Sequence, residues 1–198
     1  TSCGNIGINY AKYDNIFYRP PGPGDTRNFR PAEYKTIRPR YNGTTTYIGY
    51  KALVAASIYG QPIEPVEDLV IDHTFYLCAP MTGNYVFSSI SADDITEIWL
   101  GAKAYRGWTR PNVDIEQTYV VGTQTPVSTT VFLQKGQNFP VRVMGGNYQG
   151  AGEINVGIFA PDGRALLKTN ALNPSASITS QFLLKYICGD RSSVFPPW

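Results

Sequence analysis

Hydrophobic and polar residues alternate over many short segments of the chain, which is the period of β-strands that bury one face. In residues 153–159, isoleucine or valine occupies every second position, and the turn sequence Pro161-Asp162-Gly163 follows directly. Residues 164–168 then form the returning strand of a predicted hairpin. The same period predicts strands over residues 45–50, 69–77, 84–89, 96–100, 129–133, 139–144 and 178–187.

A helical period is absent from all but one short segment. Residues 51–59 contain Ala52, Ala55 and Ala56 and fit a short helix as well as a strand, so the pattern leaves both alternatives open. Aromatic residues make up 13% of the chain, and 19 glycines and 15 prolines supply many turns. Both features are typical of short strands joined by tight turns. The predicted fold class is all-β, an antiparallel β-sandwich or barrel with long loops and little helix.

The length of 198 residues fits a single domain, residues 1–198. Its last residues, Pro196-Pro197-Trp198, are conformationally stiff, so we expect residues 190–198 to begin a linker. The formal charge of +2 is too small to favour nucleic acid as a partner. No segment has the roughly 18 consecutive apolar residues of a membrane span, so direct membrane insertion is not expected.

The three cysteines suggest one disulfide. Cys3 and Cys188 lie near opposite ends of the chain, and the termini of a domain are often close in space. A bond between them would tie the ends together and leave Cys78 as a buried thiol or available to another chain. The sequon Asn42-Gly43-Thr44 agrees with export. In a cytosolic protein, all three cysteines would instead be reduced.

Two segments contain candidate oxygen ligands for a metal ion. Asp93 and Asp94 are adjacent between two predicted strands, and residues 145–152 form a glycine-rich, uncharged stretch that is predicted to be a loop. Asp93-Asp94 alone is typical of an acidic turn. Consecutive side chains of a regular strand point to opposite faces, so a shared ligand requires a turn or a cis peptide bond between them. Together with the amide oxygen of Asn147 and backbone carbonyls, the carboxylates form the kind of set that Ca²⁺ prefers.

Catalytic chemistry has few candidate residues. His73 is the only histidine and is expected to be an ordinary strand residue, so histidine-dependent nucleophiles and zinc sites have little support. Asp93 and Asp94 are adjacent, whereas the two carboxylates of a glycoside hydrolase stand about 5 to 9.5 Å apart. The sequence therefore predicts a binding domain and not an enzyme.

Three motifs resemble one known group of proteins. Residues 76–101, YLCAPMTGNYVFSSISADDITEIWLG, resemble the core of the protective-antigen-type β-domain. Gly7-Ile8-Asn9-Tyr10-Ala11 resembles the Gly-Leu-Glu-Tyr-Ala motif of the GLEYA branch of fungal adhesins, and residues 101–108, GAKAYRGW, fit that branch. Residues 139–147, FPVRVMGGN, resemble the strand that leads to the calcium-loop asparagine of yeast flocculins. The chain is thus similar to the GLEYA and flocculin families over nearly its whole length.

The resemblance implies a calcium-dependent lectin site. A cis peptide bond would join Asp93 and Asp94, and both carboxylates would bind Ca²⁺. Asn147 would add its side-chain oxygen, and Gln149 and Ala151 would add their backbone carbonyls. Two vicinal hydroxyls of a terminal sugar would bind both the ion and the carboxylates. The residues expected to contact the sugar are Asp93, Asp94, Asn147, Tyr148, Gln149 and Trp108, of which Trp108 fits core packing equally well.

The resemblance also implies adhesion to glycans on cell surfaces or to cell-wall polysaccharide. The first choice of ligand is N-acetylglucosamine at the non-reducing ends of chitin, followed by mannose or galactose. A shallow site binds one sugar weakly. We therefore expect a monomeric domain of a secreted protein, displayed in many copies on the cell wall or cell surface. The alternative is a secreted killer-type toxin in which this domain targets a cell-wall polysaccharide.

Overall fold

The computed structural model describes residues 3–19, 25–122, 124–190 and 194–198. These residues form fifteen strands and four short 3-10 helices, which confirms the predicted all-β class. The strands are β1 (Ile8–Asp14), β2 (Tyr41–Thr45), β3 (Tyr50–Ala52), β4 (Ala55–Ala56), β5 (Glu64–Pro65), β6 (Leu69–Cys78), β7 (Gly83–Asp93), β8 (Ile95–Leu100), β9 (Ile115–Thr118), β10 (Val127–Leu133), β11 (Asn138–Asn147), β12 (Gly152–Phe159), β13 (Ala165–Lys168), β14 (Ile178–Thr179) and β15 (Leu183–Leu184). The 3-10 helices are Pro31–Thr36, Gly101–Ala104, Arg110–Asn112 and Pro174–Ala176.

The strands form two antiparallel sheets that pack face to face. The first sheet has the order β2-β1-β6-β11-β8-β9, with β15 pairing to β6. The second has the order β10-β7-β12-β13-β14, with β3 pairing to β12, and β4 and β5 form a separate ribbon. Among the connections that pass from one sheet to the other are the short ones from β7 to β8 and from β11 to β12. Since β8 pairs with β11 and β7 pairs with β12, these two connections lie side by side.

The first sheet is covered on both faces. Alternate residues of β6, such as Ile71 and Phe75, pack in a core shared with the second sheet. The residues at the other alternate positions of β6, such as Val70 and Tyr76, point to the opposite face and pack in a second cluster with side chains from the covering loops. Nine of the ten residues of β6 are buried for this reason. The cluster between the first sheet and these loops is called the outer cluster below.

Strand prediction failed at β1 and where pairing is brief. β1 was not predicted, because its apolar residues do not alternate with polar ones: Tyr10 and Ala11 are adjacent. Residues 45–50 are not one strand, since β2 ends at Thr45 and β3 begins at Tyr50. Residues 178–187 contain only the two-residue strands β14 and β15. Residues 51–59 contain short strand segments and no helix.

The two ends of the chain meet on the first sheet. A disulfide joins Cys3 to Cys188, and Cys78 is a free thiol. The N–H of Gly7 donates to the carbonyl of Leu183 over 2.9 Å. Within residues 194–198, part of the segment expected to begin a linker, the ring of Phe195 is buried in the outer cluster. None of the described helices is long and apolar enough to cross a membrane.

Candidate functional site

The β7–β8 and β11–β12 connections bring Asp93 and Asp94 close to the glycine-rich stretch. The peptide bond between Asp93 and Asp94 is cis. The N–H of Asp94 donates to the carbonyl of Gly146 over 3.2 Å, and the N–H of Tyr148 donates to Oδ2 of Asp94 over 3.0 Å. Asp93 pairs with Glu153 at the start of β12. Both aspartates therefore lie against the β11–β12 connection, although more than fifty residues separate the aspartates from that connection along the chain.

The glycine-rich loop is shorter than predicted. Residues 145–147 belong to β11 and Gly152 belongs to β12, so only residues 148–151 form the connection. The small residues permit close packing, since a Cβ on Gly146 would lie 2.6 Å from a ring carbon of Phe29. Gln149 is exposed at the tip and Ala151 is partly buried. Both residues with carbonyls expected to bind calcium thus stand on the connection that faces Asp94.

Asn147 is fully buried and has an unusual hydrogen-bond pattern. Its Nδ2 donates to the carbonyl of Val66 over 2.8 Å, which fixes the orientation of the side-chain amide. Its Oδ1 has no hydrogen-bond partner among the described residues. An unpaired buried carbonyl oxygen costs about 1–3 kcal/mol, so such an atom usually has a partner of another kind. The amide therefore presents an oxygen that is held ready for a ligand.

Asn15 supports this part of the site and was not predicted from the sequence. Its Nδ2 donates to the backbone carbonyl of Asn147 over 3.0 Å. Its Oδ1 accepts from the hydroxyl of Tyr34 over 2.6 Å and from the N–H of Tyr18 over 3.1 Å. Asn15 is itself fully buried, and these groups satisfy the polar atoms of its side chain. Nothing in the local sequence pattern marks a single asparagine after a strand as a support for a distant loop.

Both backbone polar groups of Tyr148, its N–H and its carbonyl, make hydrogen bonds. Its carbonyl accepts from the N–H of Asp68 over 3.0 Å, while its own N–H binds Asp94 as described. The ring packs against Tyr18 at 6.2 Å between centroids, and the guanidinium of Arg19 lies 5.2 Å from the ring centre. Arg19 also pairs with Asp68 at 2.8 Å. The connection therefore starts from a fixed residue, and Gln149 is the first exposed one.

The carboxylates of the site repel each other and are partly desolvated. Burial, the charge of Asp94 and the charge of Glu153 raise the pKa of Asp93 to about 6, against the attraction of Lys51. Burial also raises the pKa of Asp94, although hydrogen bonds from Tyr148 and Tyr18 oppose the shift. Glu153 is paired with Lys51 at 2.7 Å, so its own charge is compensated. The remaining negative charge of Asp93 and Asp94 favours a cation nearby.

The donor set fits calcium better than a transition metal. Within the described ranges, no three side chains of histidine, cysteine, aspartate or glutamate are grouped to hold a metal ion. A metal here would depend on two carboxylates together with amide and carbonyl oxygens, which suits Ca²⁺ and not Zn²⁺. The unpaired Oδ1 of Asn147 beside Asp94 is the feature that this set explains.

The structure does not bring Trp108 to this site, which corrects its expected role beside the sugar. Its ring is 4% exposed and packs against Trp99 at 5.5 Å between centroids. The guanidinium of Arg142 lies 4.5 Å from the ring centre. On β11, Arg142 is separated from Asn147 by about 17 Å, at roughly 3.4 Å per residue. Trp108 therefore belongs to the outer cluster, the alternative that its sequence left open.

His73 is an ordinary buried strand residue. Its Nδ1 lies 3.1 Å from the carbonyl of Val143 and its Nε2 lies 2.6 Å from the hydroxyl of Tyr59. A neutral ring that donates through Nδ1 and accepts through Nε2 satisfies both contacts. Burial lowers the pKa of His73 to about 4, which agrees with this neutral form. It has no link to the aspartate site.

Comparison with known proteins supports the same type of domain. The family model of the GLEYA domain matches residues 69–160. No curated protein matches the chain in sequence. Among solved structures, the A domain of Epithelial Adhesin 6 from Candida glabrata, in complex with Galb1-3GlcNAc, has 15% identity and a TM-score of 0.62, covering 96% of each chain.

Two further structures share the fold. The A domain of Epithelial Adhesin 9 from Candida glabrata, in complex with Galb1-4GlcNAc, has 16% identity and a TM-score of 0.60, over 83% of this chain and 87% of that one. A PA14 sugar-binding domain from an RTX adhesin has 15% identity and a TM-score of 0.53, over 81% and 93%. At these identities the likeness concerns the fold, whereas the GLEYA match concerns the segment that contains Asp93 and Asp94. The chain is therefore similar to GLEYA/flocculin-type adhesin domains, in sequence over residues 69–160 and in fold over most of its length.

Proposed function

We propose that this domain binds terminal sugars of cell-surface glycans or cell-wall polysaccharide in a calcium-dependent manner. Asp93, Asp94 and the side chain of Asn147 would hold the ion, together with the carbonyls of Gln149 and Ala151. When bound, Ca²⁺ would supply coordination positions for two sugar hydroxyls. The protein's own part is to fix the donors, to place two acceptor carboxylates beside the sugar and to expose Gln149 at the edge.

One observation carries this proposal. The Oδ1 of Asn147 is buried without a hydrogen-bond partner among the described residues, and the residues on either side of Asn147, Gly146 and Tyr148, both hydrogen-bond to Asp94. A purely structural turn would leave this oxygen and two partly desolvated carboxylates uncompensated. A cation compensates all three at once. The sugar complexes of the structurally similar adhesin domains support a glycan as the ligand.

The identity of the sugar is a finer proposal. We keep N-acetylglucosamine at the non-reducing ends of chitin as the first choice, with mannose or galactose next. The similar Candida domains were solved with disaccharides of galactose and N-acetylglucosamine, so galactose-ended glycans belong in every comparison. Gln149 is exposed and Tyr148 is held beside it, which supports the proposal that these two residues discriminate between sugars. A secreted protein of the cell wall or cell surface, with many copies of the domain, would suit such weak sites.

The test is calorimetric titration with N-acetylglucosamine, mannose, galactose and their short oligosaccharides, each in calcium and in excess chelator. Binding that requires calcium and disappears in Asp94→Asn would support the proposal. Gln149→Ala should change the ranking of sugars, whereas Trp108→Phe should not. Absence of binding in both conditions, or binding unaffected by chelator and by Asp94→Asn, would refute it.

The proposal also assigns no catalysis to the aspartates. Asp94 is fixed by the N–H of Tyr148, and Asp93 is adjacent to it, so they do not stand on opposite sides of a scissile bond. Incubation with chitin oligomers should therefore release no sugar. Release that is lost in Asp94→Asn would show an enzyme instead.

A further inference from the structure

A second cavity lies on the outer side of the first sheet, away from the calcium site proposed above. It has a volume of about 240 Å³. Asp72 of β6 and Arg142 of β11 line its floor, and Tyr13, Tyr34, Trp108 and Trp198 stand around it. It is called the Asp72 pocket here. Its volume is below the roughly 300–1,000 Å³ of pockets for drug-sized ligands, so it suits one small ring.

The floor of the Asp72 pocket contains a buried ion pair with one open position. The Nη1 of Arg142 donates to Oδ2 of Asp72, and its Nε donates to the carbonyl of Ala104 over 2.8 Å. Asp72 is 1% exposed and Arg142 is 2% exposed. The second oxygen of Asp72, Oδ1, has no hydrogen-bond partner among the described residues. Both members of the pair are almost fully buried, so the pair is costly to desolvate and its unpaired oxygen adds to the cost.

The walls of the pocket are aromatic. The guanidinium of Arg142 lies 4.5 Å from the ring centre of Trp108 and 5.7 Å from that of Trp198. Lys35 closes one side, since its Nζ donates to the carbonyls of Arg106 and Trp108 over 2.8 and 2.6 Å. Lys35 and Arg142 are thus engaged, the exposed Arg106 adds a third cation to the lining, and Oδ1 of Asp72 is a buried acceptor without a partner among the described residues.

These features restrict the chemistry of an occupant. A cationic ligand would add positive charge beside Lys35, Arg106 and Arg142, and an anionic group that carries no donor would leave Oδ1 of Asp72 unpaired and repel that carboxylate at the floor. A neutral molecule avoids both conflicts. It needs a donor for Oδ1 of Asp72 and an apolar face for the aromatic rings. A pyranose has both, because its hydroxyls lie at the rim of the ring and its C–H groups form an apolar face.

We propose that the Asp72 pocket is a second ligand site, which binds a single neutral pyranose without a metal ion. A hydroxyl of the sugar donates to Oδ1 of Asp72, and a face of the ring packs against the indoles. This site is independent of the calcium site, so either proposal can fail while the other stands.

The three tryptophans of the chain provide a local readout. Trp99, Trp108 and Trp198 all lie in or beside the outer cluster, and Trp108 and Trp198 line the pocket. The full chain in excess chelator is titrated with the methyl glycosides of glucose, galactose, mannose and N-acetylglucosamine, while the indole N–H signals are followed by NMR. At least one glycoside should shift the Trp108 and Trp198 signals saturably, with a dissociation constant on the order of millimolar.

Variants separate this site from the first one. Trp198→Ala should weaken the response of the Trp108 signal at least about fivefold, while Trp198→Phe, the matched aromatic control, should retain it. Asp94→Asn should leave the response unchanged. The double replacement Asp72→Leu with Arg142→Met substitutes an apolar pair of similar size for the buried ion pair and should abolish binding. Should that variant not fold, Trp198→Ala still decides.

Three results would overturn the inference. The first is the absence of indole shifts with every glycoside, which would mean that ordered water satisfies Asp72. The second is a response that requires calcium and is lost in Asp94→Asn, because it would come from the other site. The third is a response to phenol or indole with none to the sugars, which would indicate a site for aromatic compounds.

Discussion

Gly152 contacts Asn147 so closely that a Cβ on Gly152 would lie 2.9 Å from Nδ2 of Asn147. The same Cβ would lie 2.6 Å from the hydroxyl of Tyr50, which is itself buried. The side-chain amide of Asn147 therefore cannot keep its present position if residue 152 carries any side chain. This contact links the first residue of β12 to the orientation of the proposed calcium ligand.

Gly152→Ala should consequently weaken calcium-dependent binding although it removes no ligand. The added methyl group displaces the Asn147 amide, and we expect a loss of affinity for calcium of at least about tenfold, with about 1–3 kcal/mol of stability lost to overpacking. Calcium affinity by calorimetry and urea unfolding would measure the two effects separately. Gly107→Ala is the matched control, because its Cβ would meet only ordinary contacts of 3.7 Å or more. Unchanged calcium affinity in Gly152→Ala would argue against Asn147 as a ligand.

Asp93→Asn should have opposite effects on stability with and without calcium. The charge of Asp94 and partial burial oppose ionisation of Asp93, so removing its charge should stabilise the calcium-free protein by about 1 kcal/mol at neutral pH, after allowance for solvent screening. The same change removes a proposed ligand, so calcium should no longer raise the melting temperature. Thermal unfolding with calcium and with chelator measures both effects.

The control for this prediction is Asp162→Asn. Asp162 lies in an exposed turn and its Oδ1 accepts from the N–H of Arg164, a contact that asparagine preserves. This variant changes the net charge equally but should leave the response to calcium intact. A calcium-dependent rise in melting temperature that survives in Asp93→Asn would contradict the proposed donor set.

The sequence pattern predicted most of the long strands and drew attention to Asp93 and Asp94, but it did not predict β1 or the burial of Asn147. The alternation of isoleucine and valine identified β12, but the apolar residues of β1 follow no such period, since Tyr10 and Ala11 are adjacent. The sequence predicts a loop over residues 145–152, whereas Asn147 lies fully buried at the end of β11. Asn147→Ala would therefore also remove the hydrogen bond to Val66 and affect folding.

Contacts that join distant segments left no local signal. Asn15 supports Asn147 across 132 positions, and the Asp72–Arg142 pair spans 70 positions. Each of these residues stands alone in its own segment, without a spacing that marks it. Trp108 shows the same limit, since an isolated tryptophan in a loop fits a sugar platform or a core position equally well. Only the packing of the outer cluster decides between them.

The disulfide should be the main covalent contribution to stability. It closes a loop with a sequence separation of 185 residues, and a bond of this kind stabilises a protein by about 2–5 kcal/mol, chiefly by restricting the unfolded chain. The folded ends should keep their positions in Cys3→Ser/Cys188→Ser, because the N–H of Lys185 still donates to the carbonyl of Asn5. Urea unfolding of the double variant should show the loss, whereas Cys78→Ala should show much less. A count of three free thiols in the unfolded, unreduced wild type would contradict the prediction; one is expected.

His73 should make the domain less stable in mild acid. Its pKa is lowered by burial to about 4 from an ordinary value of 6.5, so the unfolded chain binds a proton that the folded chain does not. The neutral ring's contribution is complete above about pH 6.5 and is lost progressively as the pH falls towards 4, reaching about 3 kcal/mol. Because His73 is the only histidine, its C2–H signal in NMR should stay unchanged from pH 8 to about pH 5 in the folded protein.

The difference in unfolding free energy between wild type and His73→Gln should change over the same pH range, since glutamine can donate to Val143 and accept from Tyr59 without titrating. A C2–H midpoint near 6.5 in the folded protein would show instead that the ring can take up a proton in its buried position.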